Sequence, residues 1–313
     1  MPVEEELAAV SPKKDMFLTI GVFDGVHLGH KYLISQLTEQ AKQQNLLSGV
    51  VTFRQHPRKI LSPRTKLPYL TTVTEKISLL KNEGVDTVIS LSFTRELAEL
   101  SARQFASLLK KHLRMRGMII GPDFTLGRNK VGNADILRVL GQDMDFSVTV
   151  IAPVRVNNEP VSSTAIRDAL ADGDMKRVSR LMGRYFSLQG KVTRGAGRGS
   201  RLGFPTANLD IDSKQALPTD GIYATWAYID GKAHQSMTNI GLRPTFAGNK
   251  RTVETYVLNY DANLYGREIK IDVVERLRGE KRFDTVEELK KQMAEDVKQG
   301  IVILKTQSRE QVT

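Results

Sequence analysis

Cysteine is absent from all 313 residues. Disulfides, thiolate nucleophiles and thiolate-bound zinc are therefore excluded. Also missing is any apolar run near the roughly 20 residues needed to span a bilayer, so no transmembrane helix is expected. Met1 to Asp15 carries three consecutive glutamates, Glu4 to Glu6, and no apolar centre. That stretch is not a secretory signal peptide, and it reads as a short frayed tail on a cytoplasmic protein. There is no internal repeat, no low-complexity tract and no GxxxxGK[ST] spacing, which excludes a Walker A loop.

What is present is basic. The formal net charge is +11 and the sequence pI is about 9.7. This balance favours anionic partners, whether phosphorylated small molecules, nucleic acid or an acidic surface, and does not choose among them. At roughly 100–200 residues per domain the length predicts two domains. The first half alternates strand and helix signals: strands over 17–23, 48–53, 86–91 and 146–151 and an apolar run at 118–120, with helices over 29–44, 74–83, 101–113 and 131–140. Such a rhythm predicts a parallel sheet covered on both faces. Ligands bind such sheets at the carboxyl ends of the strands, which directs attention to Phe23–His30, Thr52–Pro57 and Gly121–Gly127. Helices over 162–173 and 175–182 close this half. After Gly183 the pattern becomes short β-like runs broken by glycine turns, with period-2 strands over 222–229, 252–258 and 268–274. That is the signature of a small antiparallel barrel. An amphipathic helix follows over 285–298, with Leu289, Met293 and Val297 on one face. The expected division is 1–184 and 185–313.

Three motifs carry chemistry in the first half. Gly21-Val-Phe-Asp-Gly-Val-His-Leu-Gly-His30 combines glycines that allow a tight turn with two histidines three residues apart at a helix start. A helix N-terminus presents free amides and partial positive charge, so the segment can cradle a triphosphate. The same histidines could instead cap the helix or bind a metal. Ser162-Ser163-Thr164-Ala-Ile-Arg167 opens another helix with hydroxyls and an arginine in its first turn, suited to phosphate or to simple capping. Gly121-Pro-Asp123-Phe-Thr-Leu-Gly127 follows a strand. The second half contains Gly195-Ala-Gly197-Arg-Gly199-Ser-Arg-Leu-Gly203-Phe-Pro205-Thr206-Ala-Asn208. It suits a phosphate-wrapping backbone, a flexible barrel loop or an arginine–glycine RNA-binding segment.

The full strings resemble known signatures. HxGH preceded by Gly-Val-Phe-Asp-Gly, with SSTxxR later, is similar to the prokaryotic FMN adenylyltransferase module, and GFPTAN resembles riboflavin kinases. The chain as a whole, from about Thr19 to Asp296, looks like the prokaryotic bifunctional riboflavin kinase/FMN adenylyltransferase family. The resemblance implies a Rossmann-like nucleotidyltransferase domain followed by a kinase barrel with a terminal helix. It implies ATP-dependent phosphorylation of riboflavin to FMN, then adenylylation of FMN to FAD with release of pyrophosphate. It assigns ATP in the first site to Gly21, Phe23, Asp24, Gly25, Gly29, Asp123, Ser163 and Thr164, with His27, His30 and Arg167 acting on the phosphates. It assigns ATP in the second site to Gly195, Gly197, Gly199, Gly203, Pro205 and Thr206. The same resemblance implies that Thr206 and Asn208 help hold Mg²⁺, that Glu254, on pattern alone an exposed strand glutamate, is the general base, and that Arg278 and Phe283 close over the flavin. The implied partners are ATP, riboflavin and FMN, with no nucleic acid and no membrane. Departures from the family pattern are Arg54 and Gln55 in the Thr52-Phe-Arg-Gln-His-Pro57 loop, Leu126 and Pro160. They motivate one alternative, a kinase with an inactive first domain. The charge motivates another, a basic flavin- or RNA-binding regulatory protein.

Overall fold

The computed structural model describes residues 2–62, 64, 67–195, 199, 202–245 and 248–307, with only the backbone described over 243–245 and 248–250. The chain forms two compact units, Met1–Ser163 and Thr164–Thr313.

The first unit is built on five parallel strands: β1 (Met16–Ile20), β2 (Leu47–Phe53), β3 (Thr87–Leu91), β4 (Met115–Ile120) and β5 (Ser147–Val150). Their order is β3-β2-β1-β4-β5. Neighbouring residues on each strand enter opposite cores. Phe17, Val50 and Ile119 pack with Ile34 and Leu37 of α2 (Leu28–Gln43) and Leu80 of α4 (Val73–Asn82). Leu18, Val51 and Met118 pack with Phe105 and Leu109 of α6 (Ala102–Leu113) and Leu137 of α7 (Ala134–Met144). Burial on both faces explains why these strands read as continuous apolar runs rather than as alternation. The short helices α3 (Arg58–Leu61) and α5 (Arg95–Glu99) and the small pair β6 (Arg155–Val156) and β7 (Glu159–Pro160) complete the unit.

Two expectations change here. The frayed tail is a helix, α1 (Pro2–Ala8). Its Val3 and Leu7, four apart and so on one face, are 2% and 0% exposed in the α6 core, and Glu4 pairs with Lys111. A run with only two apolar side chains has no visible helical period; its partner surface supplies the signal. Helix α7 begins three residues later than expected, at Ala134, because the Asn133 side chain caps it by accepting from the Ile136 amide. Residues before it are drawn into a bridge between Leu126 and Gly132.

In the second unit, helix α8 (Ser163–Asp172), whose first residue belongs to the first unit, and helix α9 (Met175–Met182) precede a closed six-stranded barrel. The strands are β8 (Phe186–Thr193), β9 (Thr206–Asp210), β10 (Gly221–Ile229), β11 (Lys232–Thr245), β12 (Gly248–Val257) and β13 (Glu268–Arg278), in the closed order β10-β11-β12-β9-β8-β13. The division at 163/164 lies earlier than the expected 184/185. The reason is α9, which contacts β8 and β13 and buries Met175, Val178, Leu181 and Met182. The last helix, α10 (Val286–Thr306), runs eight residues beyond the expected end. Gly300 does not stop it, because that glycine is where the helix presses on Met237 of β11, and a Cβ would overlap the Met237 sulfur.

Lys76 on α4 is 5% exposed. Its ammonium donates to the Val22 carbonyl at 3.1 Å and the Phe53 carbonyl at 2.7 Å, tying together the chain segments that leave β1 and β2. Burial pulls this ammonium down to about 8, against the opposing pull of Asp24. Between about pH 8 and the ordinary lysine value near 10.4, the unfolded chain holds a proton that the folded chain has released. Stability contributed by this group therefore rises with pH across that window. A Lys76→Met variant should lose the rise, measured as the change in urea midpoint between about pH 8 and about pH 10. An unchanged slope would remove Lys76 as its source. A fragment starting at Thr164 should also unfold at a higher urea midpoint than one starting at Gly183, which lacks the apolar face of α9; equal midpoints would show that α9 adds nothing to the barrel.

Candidate functional sites

The first site lies where β1 ends. Because β1 sits between β2 and β4, chain connections leave it in opposite directions, and this is where doubly wound sheets open a crevice. After Ile20 the chain makes a tight turn in which Phe23 has φ 52°, Gly25 φ 85° and Val26 φ 37°. Positive φ is costly for a β-branched residue such as Val26, and such strain persists only where the surroundings over-determine it. The surroundings do so here. Asp24, 6% exposed, accepts from the Leu70 and Thr71 amides at 2.9 and 3.2 Å. The Gly25 amide donates to Thr71 Oγ1 at 3.1 Å. Thr52 Oγ1 donates to the Val22 carbonyl at 3.1 Å, beside the Lys76 ammonium.

The turn delivers His27 to the N-cap of α2, where its Nδ1 accepts from the His30 amide at 3.3 Å. An accepting Nδ1 carries no proton, so Nε2 is the N–H and can donate to an anion. The His27 and His30 rings stack with centroids 3.6 Å apart, and Phe23 meets His30 edge-on at 5.1 Å. Gly21 leaves room for the Phe23 ring, and Gly29 leaves room for the His27 ring. Ser163 Oγ donates to the Asp24 carbonyl at 2.8 Å, which brings the start of α8 to the same turn. Thr164 and Arg167 continue that helix in the second unit, Arg167 one turn beyond Ser163. Asp123 is exposed in the turn that follows β4. Gly21, Phe23, Asp24, Gly25, His27, Gly29, His30 and Ser163 are thus assembled in one place. Lys76 was not singled out from sequence, where a lysine in an amphipathic helix looks like a solvated residue.

The second site lies on the outside of the barrel. Pairing across the strands sets Arg278, Ile222, Asn239, Glu254, Asn208 and Thr193 in one row around all six. Directly opposed residues share a face. Val253 and Thr255 are buried within the barrel wall while Glu254 is half-buried on its outer face. Helix α10 covers part of the row, leaving a cavity of about 210 Å³. Glu254, Asn239, Thr206, Gly199 and Arg278 line it, with apolar walls from Phe204, Met237, Leu289 and Met293. A second cavity, of about 260 Å³, is lined by Pro205, Thr206, Tyr260 and Tyr265. Thr206 is common to both.

Asn208 neighbours Glu254 through strand pairing, and Gly195 packs on its side chain so closely that a Cβ would overlap the amide. Gly203 has φ 86° and turns the loop into β9. Gly197 lies outside the described residues. Arg278 is braced rather than free: its Nε and Nη2 bond Asp296 of α10 at 2.9 and 2.8 Å. Phe283 stacks 5.8 Å from the Arg278 guanidinium and is not among the residues that line that cavity. Asp296, 4% exposed, was not singled out from sequence, because only the fold brings α10 against β13. Among the described residues no group of three or more His, Cys, Asp or Glu side chains could enclose a metal, and no helix is long and apolar enough to cross a membrane.

Comparison with known proteins matches each half of the chain to a family. The FAD synthetase family model matches residues 10–165 and the riboflavin kinase family model residues 182–304. The bifunctional riboflavin kinase/FMN adenylyltransferase of Escherichia coli K12 is 36% identical over 288 residues, covering 91% of this chain and 92% of the relative. That of Pseudomonas fluorescens is 36% identical over 281 residues, covering 89% and 90%. A solved structure described as a macrolide-efflux protein from Streptococcus pneumoniae superposes with a TM-score of 0.88 at 28% identity, covering 95% of this chain and 96% of the other. Matched by both family models and by a relative 36% identical over 91% of its length, this chain belongs to the bifunctional riboflavin kinase/FMN adenylyltransferase family.

Proposed function

We propose that the barrel phosphorylates riboflavin with ATP and that the first site, completed by the start of α8, adenylylates the resulting FMN to FAD. The observation that carries the kinase reading is the cavity holding Glu254 beside Thr206. Its apolar walls suit a flavin ring, and the neighbouring cavity shares Thr206, so donor and acceptor would meet there. Glu254 takes the proton of the terminal ribityl hydroxyl as that oxygen attacks the γ-phosphorus of ATP. The bond from the γ-phosphorus to the β–γ bridging oxygen breaks and ADP departs.

Thr206 and Asn208 stand two apart on β9 and so on one face, offering hard oxygen donors of the kind Mg²⁺ accepts while sharing substrate phosphates. The ion, when bound, would neutralise charge on those phosphates. Gly195, Gly199 and Gly203 let the loop backbone approach the nucleotide, and Pro205 stiffens its entry into β9. Arg278, held by Asp296, supports the cavity wall, and Phe283 lies over that arginine. The polar partners are thus ATP, riboflavin and FMN, and neither nucleic acid nor membrane has a part in the reading. A cysteine-free chain suits a reducing compartment, and we place the enzyme in the cytoplasm.

In the first site an FMN phosphate oxygen attacks the α-phosphorus of ATP and pyrophosphate leaves. No covalent nucleophile is needed; positioning and charge stabilisation suffice. His27 supports this through its Nε2–H. His30 stacks against it, and the amides at the start of α2 favour an anion. The family resemblance assigns Ser163, Thr164, Arg167 and Asp123 to the same phosphates, and Asp24 shapes the turn. Segment 1–184 carries this activity and 185–313 the kinase, although α9 packs with the barrel.

Riboflavin incubated with ATP and Mg²⁺ should yield FMN and then FAD, resolved by liquid chromatography. FMN alone would favour a kinase with an inactive first site. Glu254→Gln should lower riboflavin phosphorylation by roughly 10²–10⁴-fold while FAD formation from supplied FMN continues. Wild-type kinase turnover in that variant would return Glu254 to an ordinary strand position. His27→Ala and Arg167→Ala should each depress FAD formation and spare the kinase; equal loss of both activities in a folded variant would mean a single shared site.

A further inference from the structure

Arg54 stands at the end of β2, where the family pattern has an acidic residue, and the structure gives that change a partner. Its guanidinium donates through Nη1 to Glu6 Oε1 of α1 at 2.7 Å and to Ser92 Oγ at 2.8 Å. Glu6 in turn accepts from the Ser92 amide at 2.8 Å through Oε2 and from the Ser92 hydroxyl at 2.8 Å through Oε1. One carboxylate thus joins α1 to the segments that follow β2 and β3. The Arg54 amide bonds the Leu91 carbonyl at 2.9 Å and the Gln55 amide side chain bonds the Phe93 carbonyl at 2.8 Å, so the second departure, Gln55, belongs to the same arrangement.

This clasp reaches the first site through the chain and the hydrogen bonds that hold it. Arg54 follows Phe53, whose carbonyl accepts from Lys76. Lys76 and Thr52 both donate to the Val22 carbonyl, and Val22 begins the turn that sets His27 as the cap of α2. We propose that Glu6 is a positioning residue for adenylyl transfer, acting through Arg54 and Ser92 to hold the end of β2 and, with it, the turn that carries His27. The proposal rests on the adenylyl-transfer reading of that turn.

An exposed ion pair by itself contributes little to stability, and Arg54 is more than half exposed at its side chain. The clasp differs in what it holds. Glu6 also satisfies a backbone amide, and the bonds of a carboxylate to such donors are the stronger, charge-assisted kind. Burial acts to raise the Glu6 carboxyl, but the hydrogen bonds from Ser92 and the charge of Arg54 outweigh it and hold the group below the usual carboxylate range. Val3 and Leu7 anchor α1 in the core on either side of Glu6. Its position is therefore held by α1 and Ser92 as well as by Arg54. Group transfer without a covalent intermediate depends on alignment, and a displacement of about 1 Å at a distance can cost about 10²-fold in rate.

The test is a double-mutant cycle in the full chain, using Glu6→Ala, Arg54→Ala and the pair. FAD formation from FMN and ATP, riboflavin phosphorylation and thermal unfolding are measured on each preparation. Each single variant should lower kcat/KM for FAD formation by about tenfold, and the double variant should be no worse than the poorer single one, because both remove the same clasp. Riboflavin phosphorylation should stay at the wild-type rate. Three results would overturn the proposal: unchanged FAD kinetics with a lowered unfolding temperature, which makes α1 a brace only; losses that multiply in the double variant; or parallel loss of the kinase. A wild-type chain that makes no FAD would instead sink the adenylyl-transfer reading itself, so the two failures are distinguishable.

Discussion

Thr225, Ser236, Thr238 and Thr255 form a chain of hydroxyls inside the barrel, with Thr225 Oγ1 2.7 Å from Ser236 Oγ and 2.8 Å from Thr238 Oγ1, and Thr238 3.0 Å from Thr255. All four are fully buried. A buried polar group left without a partner is costly, so a closed set of this kind admits one pairing of β10, β11 and β12. A slip of one residue would turn every side chain to the other face. Thr255 would leave the interior and Glu254 would enter it. The outward row that holds Asn239, Glu254 and Asn208, the cavity under α10 and the shared position of Thr206 all follow from that register.

The first unit solves a different problem with a comparable device. Carbonyls that leave β1 and β2 must find donors at the rim of the sheet, where the strand ladder has ended. Lys76 and the Thr52 hydroxyl supply them, and the buried Asp24 carboxylate supplies acceptors for the facing segment. The result is a turn strained at Phe23 and Val26 and held from beneath. His27 has its Nδ1 committed to the helix as an acceptor from the His30 amide. The strain is therefore supported by hydrogen bonds to the segment at Leu70–Thr71, far away in sequence, as well as by those within the glycine-rich string.

The two units also differ in how apolar surface is used. In the first, both faces of the sheet are closed by helices, and the polar chemistry is confined to strand ends. In the second, the barrel interior is closed and part of the outer wall is apolar as well, because Ala224, Trp226, Met237 and Val274 lie against α10. Where α10 begins, the same apolar wall opens into the cavity lined by Leu289 and Met293. A helix that completes a core at one end and borders a binding cavity at the other explains why its sequence remains amphipathic through Ile301 and Leu304.

Much of this was legible in the chain itself. Alternating βα rhythm, period-2 runs after Gly183 and the glycine–histidine and GFPTAN strings come from local preference and spacing, which act over a few residues and survive without tertiary context. The five strands of the sheet and the helices α2, α4 and α6 were foreseen for that reason. Tertiary structure alone decided the rest. Helix α1 exists because Val3 and Leu7 find a core, and α9 sides with the barrel because of the surface it meets. Gly300 is a point of close approach rather than a stop, Lys76 is a buried donor rather than a surface charge, and Asp296 holds Arg278. Each of these depends on a partner tens of residues away, and the energy of burial or pairing belongs to the contact, not to either residue alone.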